Sequence, residues 1–280
     1  MTLDNRVNRL RASVDKHSLQ SIPSNSDSAY KMNGLNTVVT GASGGIGRAV
    51  ALEFARQGAA VAVQGNARRD ALEGLVAEIQ QLGRESISLL ADLSQSAGRQ
   101  QFVDAVWKWR SPIDVLVNLA GADVLTGIAS EWSFEKKLDV LWNVDVLATI
   151  QLSRCFGQRM RERGSGVILN VGWDQAEQGM AGDSGEMFAA TKGAITAFTR
   201  SLAQSLSPQV RVNCLAPGWI RTAWGESASE YWQSRAQRQA LRGRWGTPED
   251  VAKAAAFLAS DAADFITGQV IPINGGFRFE

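Results

Sequence analysis

From residue 36 onward the chain alternates two patterns of apolar positions. Short unbroken apolar runs read as strands buried on both faces. Longer stretches with an apolar residue every three or four positions read as helices carrying one apolar stripe. Thr37-Val38-Val39 opens the series as a strand, and a helix is predicted over 49–56. A strand over 60–64, an amphipathic helix over 69–82, a strand over 86–90 and a helix over 99–109 follow. Next come a strand over 113–117, a long helix over 134–161 and a strand over 167–171. A second long helix over 184–206, a strand over 210–215, a helix over 248–259 and a last strand over 269–273 complete the pattern. About seven strands alternating with helices imply an α/β fold of Rossmann type, a single doubly wound parallel sheet with helices on both faces. No repeat or second domain is visible, so residues 34–280 read as one domain. Residues 1–33 are polar and read as an N-terminal arm, with Val7, Leu10 and Val14 at helical spacing and a loop over 21–28. The arm reads equally as an oligomer contact or as a partly disordered tail.

Composition narrows the function classes. Of 280 residues, 45% are apolar, enough for a large core. Twenty-nine basic residues balance 28 acidic ones, so no global field favours nucleic acid or a membrane surface. No apolar run approaches the roughly 18 residues of a membrane span, and no secretory signal pattern opens the chain. The expectation is a cytoplasmic protein. Cys155 and Cys214 lie in apolar stretches and are expected to be buried core thiols. His17 is the only histidine and lies in the polar arm. A zinc site or a Ser-His-Asp hydrolase is therefore not expected.

Chemistry enters at the end of the first strand, in Thr40-Gly41-Ala42-Ser43-Gly44-Gly45-Ile46-Gly47. Small residues let the backbone approach a pyrophosphate, and the helix that follows aims its free N–H groups at the negative charge. Glycines at 41, 45 and 47 give the spacing G-x-x-x-G-x-G. This turn resembles the TGxxxGIG fingerprint of the short-chain dehydrogenase/reductase family, and further segments match in order. Asp92 resembles the acid that contacts the adenine amino group. Asn118-Leu119-Ala120-Gly121 resembles the NNAG motif, with Leu119 a departure. Asn143 falls at the family's helix asparagine and Lys192 at the lysine of YxxxK. The run from Asn213 to Thr222 resembles the segment that covers the nicotinamide, and Gly275-Gly276 the C-terminal ending. The matches span roughly 32–277, and the resemblance is to members of the 3-oxoacyl-ACP-reductase type.

The resemblance implies a nicotinamide cofactor held by Gly41, Ser43, Gly45, Ile46, Gly47, Arg48, Asn66, Arg68, Arg69, Asp92, Leu93, Asn118, Ala120, Gly121, Lys192, Pro217, Gly218, Ile220 and Thr222. An NAD site usually ends its second strand in an acid that binds the ribose hydroxyls. Here that stretch reads Gln64-Gly65-Asn66-Ala67-Arg68-Arg69, without an acid before Asp70. Arg68, Arg69 and Arg48 suit a 2′-phosphate, so NADP(H) is favoured over NAD(H). Solvated arginines at a helix start are the alternative.

The proton-transfer residues depart from the family. Counting back four from Lys192 reaches Phe188 where the family has tyrosine, and Trp173 stands where the serine is expected. Asp174, Glu177, Asp183, Ser184 and Glu186 lie between the fifth strand and the lysine. A carboxyl group in a tryptophan-lined pocket would have a raised pKa and act as general acid, and Asp174 and Glu186 are the named candidates beside Asn143 and Lys192. Tyr231 is a weaker one. Trp173, Phe188, Trp219 and Trp224 are expected to line the substrate pocket, with Tyr231, Trp232 and Trp245 near a lid over about 219–245. Arg235, Arg238, Arg242 and Arg244 lie in that lid, as a solvated face or as contacts to an acidic substrate group.

The expected function is reduction of a carbonyl or conjugated alkene in a bulky or apolar small molecule, with an atypical proton donor. A non-redox enzyme performing isomerisation, elimination or cyclisation, and a catalytically silent NADP-binding protein, stand as alternatives. The resemblance also implies a homotetramer, with a dimer second.

Overall fold

The computed structural model describes residues 30–278. The strands are β1 (Asn36–Val39), β2 (Ala60–Gly65), β3 (Ser86–Leu90), β4 (Val115–Asn118), β5 (Gly166–Val171), β6 (Val210–Pro217) and β7 (Val270–Ile273). They form one sheet in the order β3-β2-β1-β4-β5-β6-β7, parallel throughout. All four residues of β1 and of β4 are buried, because helices cover both faces. That is why these strands read as continuous apolar runs rather than as alternation.

One core layer joins the sheet to α1 (Gly45–Arg56), α2 (Arg69–Gln81) and α9 (Pro248–Ala259). The other joins it to α3 (Ser96–Trp109), α5 (Ala148–Arg163) and α6 (Asp183–Leu206). A small third cluster of Val124, Leu141 and Met187 lies under α4 (Phe134–Leu141). The strand order reverses between β1 and β4, which opens a crevice at their C-terminal ends, the usual ligand position in such sheets.

Several expectations need correction. Helix α1 begins at Gly45 rather than 49, because its first turn contains two glycines, poor helix formers that hide a helix start. Helix α3 begins at Ser96 rather than 99. The predicted helix over 134–161 is interrupted by a π-helical turn at Trp142–Leu147 and ends at Arg163. The lid contains two helices that its polar sequence did not reveal, α7 (Ala223–Ser227) and α8 (Glu230–Gln239). Met32 was assigned to the arm by composition but is fully buried in the first core layer, and its N–H donates to Gln57 O at 2.8 Å. Cys214 is buried, but Cys155 is only half-buried. The rest of the arm, with Val7, Leu10, Val14 and His17, lies outside the described residues. No helix among the described residues is long and apolar enough to cross a membrane.

Candidate active site

Two concavities meet at the C-terminal edge of the sheet. The first is a polar groove of about 700 Å³ at the reversal point. Its floor is the glycine turn. Gly41 has φ 66° and Gly45 φ 54°, a region open to glycine without strain. A Cβ on Gly41 would lie 2.5 Å from Leu119 O, and one on Gly47 would lie 2.3 Å from Gly41 O. The turn is thus clamped between the end of β4 and its own helix. Thr40 Oγ1 completes the clamp by accepting from the N–H groups of Leu119 and Ala120, both at 3.0 Å. Gly44 is the N-cap of helix α1 and no side chain caps its first N–H groups, which leaves them for an anion. This geometry fits a pyrophosphate.

Gln64 would sit where a ribose-binding acid is usual, but it is buried and fully engaged. Its Oε1 accepts from Gly41 N at 3.0 Å and its Nε2 donates to Ala91 O at 2.8 Å. The groove wall there offers Asn66 and Arg68. Arg68 folds over Gly44 and donates to Ser43 O at 2.8 Å. Asp92, Leu93, Ala120 and Gly121 also line the groove.

Other expected cofactor residues lie elsewhere. Arg48 pairs with Glu78 on the outer side of α1, and Arg69 pairs with Glu73 one turn along α2 at 3.7 Å. Neither lines the groove. Both were placed by proximity in sequence, but helical geometry turns them outward. Asn118 is buried behind the groove. Its Nδ2 donates to Ser153 Oγ and Asn170 Oδ1, both at 2.9 Å, so it braces the sheet. Asn143 lines the groove, but its amide donates to Asp139 O at 2.8 Å within its own helix.

The second concavity is an apolar cavity of about 480 Å³. Trp173, Phe188, Trp219 and Trp224 all line it, with Trp232, Trp245, Met180 and Leu125. Ile46, Pro217, Gly218, Ile220 and Thr222, expected at the cofactor, line this cavity and not the groove. The tryptophans pack on one another: Trp219 lies 6.3 Å from Trp224, 5.4 Å from Trp232 and 6.0 Å from Trp245, centroid to centroid. Phe188 meets Trp173 edge-on at 6.3 Å. Ser184, Phe188 and Lys192 recur at four-residue spacing on α6 and so share the face that enters the cavity.

That spacing removes one candidate acid. Glu186 lies off this face, is exposed and lines neither concavity. Asp174 does not line the cavity either; it tucks behind Gly218, where Oδ2 accepts from Asn274 Nδ2 at 3.0 Å and Oδ1 is buried without a partner. Burial pushes its pKa up to about 6, against the opposing pull of the Asn274 hydrogen bond. The raised pKa that sequence reasoning anticipated is present, but away from the cavity wall. Tyr231 is largely exposed and does not line the cavity.

The residue that sequence reasoning missed is Asp145. It is 2% exposed, sits in the π-helical turn, and pairs through Oδ2 with Lys192 Nζ at 2.8 Å. Its Oδ1 accepts from Ala122 N at 2.9 Å. Ala122 lines the groove and Lys192 lines the cavity, so this pair forms the wall between them. Asn143 was chosen because it matches the family's residue type, yet the side chain that reaches Lys192 is two positions on. A lone carboxylate in an otherwise apolar helical stretch was the available signal, since a buried charge needs a partner.

With this geometry in view, one family and three relatives are informative. The family described as enoyl-(acyl carrier protein) reductase matches residues 41–278. The 3-oxoacyl-[acyl-carrier-protein] reductase FabG of Thermotoga maritima is 32% identical over 248 residues, covering 88% of this chain and 98% of that protein. Among solved structures, a 7α-hydroxysteroid dehydrogenase complexed with NADH and 7-oxo glycochenodeoxycholic acid superimposes with a TM-score of 0.82 at 29% identity, covering 90% of this chain and 97% of the other. The L-sorbose reductase of Gluconobacter frateurii, complexed with NADPH and L-sorbose, gives a TM-score of 0.80 at 29% identity, covering 89% and 98%. The chain belongs to the short-chain dehydrogenase/reductase family, and its relatives are oxidoreductases that include 3-oxoacyl-ACP reductases.

Proposed function

We propose that this short-chain dehydrogenase/reductase is an NADP(H)-dependent reductase of a carbonyl or conjugated alkene in a bulky, largely apolar small molecule. The observation that carries the reading is the Lys192–Asp145 pair, which places one cation at the junction of a pyrophosphate-shaped groove and a tryptophan-lined cavity.

The bound cofactor would supply the hydride. Everything else falls to the chain. Gly41 to Gly47 and the start of α1 would hold the pyrophosphate, and Asp92 would contact the adenine. NADP(H) is preferred because Arg68 overhangs the turn while the end of β2 offers no carboxylate. The relatives include structures with NADH and with NADPH, so this preference rests on Arg68. Phe188 and Trp173 cannot transfer a proton; they exclude water and hold an apolar substrate. Lys192 takes the electrostatic role. Its ammonium stands where negative charge develops on the substrate oxygen, and Asp145 holds it there. The exchangeable side-chain protons lining the cavity, besides tryptophan N–H, belong to Lys192, Ser184 and Thr222. Lys192 is read as the donor, in place of Asp174 and Glu186.

The same loss of both hydroxyls favours a second reading, binding or non-redox chemistry without hydride transfer. Steady-state NADPH oxidation with a panel of ketones and enones separates the two. Turnover that Lys192→Met removes supports the proposal. Product formation without cofactor consumption points to isomerisation, elimination or cyclisation, and NADPH binding without any product points to a silent protein. The assembly proposed is a homotetramer, with a dimer second. A monomer by light scattering at micromolar concentration contradicts it.

A further inference from the structure

We propose that Arg235 makes the tryptophan cavity selective for amphipathic anions, so that the substrate carries an apolar ring system or chain and, at one end, a carboxylate or comparable anion. This rests on the reading that the cavity receives the substrate.

Arg235 lies on α8, half-buried. Its guanidinium carbon is 5.2 Å from the Trp232 ring centroid and 5.9 Å from that of Trp219, and both rings line the cavity. Trp232, Arg235 and Gln239 are spaced i, i+3 and i+7, which puts them on one helix face. Gln239 Oε1 accepts from Trp219 Nε1 at 2.9 Å and so fixes the ring on which the arginine rests. Several other arginines are paired with carboxylates, among them Arg163 with Asp114 at 2.7 Å, Arg200 with Glu177 at 2.7 Å and Arg244 with Asp250 at 2.6 Å. Among the described residues Arg235 has no carboxylate partner, and its one hydrogen bond is a long one, 3.4 Å to Tyr231 Oη.

A guanidinium that stacks through its face keeps its edge N–H groups available, in a planar fork that matches a carboxylate. Stacking on tryptophan also removes part of its hydration, which strengthens what it binds. The cation that does line the cavity, Lys192, is already compensated by Asp145. Arg235 does not itself line the cavity; the cavity presents an aromatic body and a neutralised charge, and Arg235 holds an uncompensated charge against its Trp219 and Trp232 rings. About 480 Å³ falls within the range of small-molecule sites, so the apolar part of the ligand can be a ring system.

The test is calorimetric titration of the full chain with 2-naphthylacetate and with the isosteric, neutral 2-naphthylacetamide. Binding of the carboxylate about tenfold tighter than the amide is expected, as for a charge-assisted contact. Arg235→Gln should weaken the carboxylate about tenfold and leave the amide within about twofold. Arg238→Gln removes the same charge from an exposed position of the same helix and should leave the preference unchanged. Arg235→Lys, with charge but without the planar fork, should keep part of it. Equal affinities in the unaltered protein, a preference that survives Arg235→Gln, or no binding of either probe would overturn the proposal. These readouts need no hydride transfer. NADPH titrations of the same samples report separately on the proposed function.

Discussion

On one side of the Lys192–Asp145 pair lies a polar groove floored by the backbone of the glycine turn; on the other lies a cavity walled by large apolar side chains. The groove's residue types follow from conformation. A positive φ at Gly41 and Gly45, and the close approach of Gly47 to Gly41 O, admit almost nothing else. The cavity's residue types follow from what the pocket must hold. There, no backbone requirement fixes the side chain, so on the proposed reading Phe188 and Trp173 can replace a tyrosine and a serine and change the chemistry alone. Binding geometry is thus tied to foldability in the groove and separable from it in the cavity.

The sharpest way to break that contrast is Gly41→Ala. The added Cβ would fall 2.5 Å from Leu119 O and 2.7 Å from Ala120 N, at a φ that alanine rarely adopts. NADPH affinity is expected to fall by at least about 100-fold, near 2.7 kcal/mol, with a lower Tm. Tryptophan emission from the cavity should change little. An affinity within a few-fold of the unaltered protein would show that the turn tolerates side chains and that the contrast is false.

The same contrast explains what was legible in the sequence. Strand runs and the glycine spacing announced the sheet, its reversal point and the groove, because each reflects a backbone requirement written as residue type. The cavity's tryptophans were legible as a cluster, since several large aromatics in nominal loops need a common pocket. Side-chain direction was not legible. Arg48 and Arg69 sit near the turn in sequence but point away, and Glu186 lies off the helix face that carries Ser184, Phe188 and Lys192. The π-helical turn at Trp142–Leu147 shifts the register by a fraction of a turn. A straight helix offered no reason to prefer Asp145 over Asn143. The lid helices were missed because α8 is mostly polar and gains its order from the tryptophans beneath it.

Asp174 probes the boundary between fold and chemistry. Its carboxyl is raised to about 6 mainly by burial, with one oxygen unpartnered. Between about pH 4 and 6 the folded state holds a proton that the unfolded chain has released, so stability falls as pH rises through that window. Above it the charged, buried carboxylate is a standing cost. Asp174→Asn retains an acceptor for Asn274 and removes the charge. The variant is expected to be more stable than the unaltered protein by about 2 kcal/mol near pH 8, with the gap closing toward about pH 4. Urea denaturation across that range reads it directly. A gap that does not vary with pH would mean that Asp174 is well solvated in the folded state. Loss of turnover in this variant with NADPH affinity intact would return it to the catalytic candidates.

Arg68 tests whether the groove discriminates by side chain as well as by backbone. In Arg68→Gln the NADPH affinity should drop about tenfold while NADH changes by less than about threefold. Equal losses for both cofactors would mean that Arg68 only shapes the turn, through its 2.8 Å bond to Ser43 O.

The smallest expected effect is at Phe188, and the reason is geometric. Phe188→Tyr adds one oxygen to a ring one helical turn before Lys192, on the face that enters the cavity. A general acid in this position is typically worth roughly 10²–10⁴-fold in rate. Two features hold the gain below that. The ammonium that would lower the new phenol's pKa is paired with Asp145 at 2.8 Å, so much of its field is spent. Trp173 meets the Phe188 ring edge-on, and on the proposed reading it replaces the serine whose hydroxyl would polarise the substrate oxygen. Ketone reduction by Phe188→Tyr should therefore rise by only about two- to fivefold in kcat/KM, a small part of the general-acid range. Combining it with Trp173→Ser should exceed the product of the separate effects, because neighbouring catalytic groups act as a unit. A hundredfold rise from Phe188→Tyr alone would show that the cavity already supports the family's usual chemistry and lacks only the hydroxyl. Strong ketone reduction by the unaltered protein, insensitive to Lys192→Met, would place the proton donor outside every residue named here.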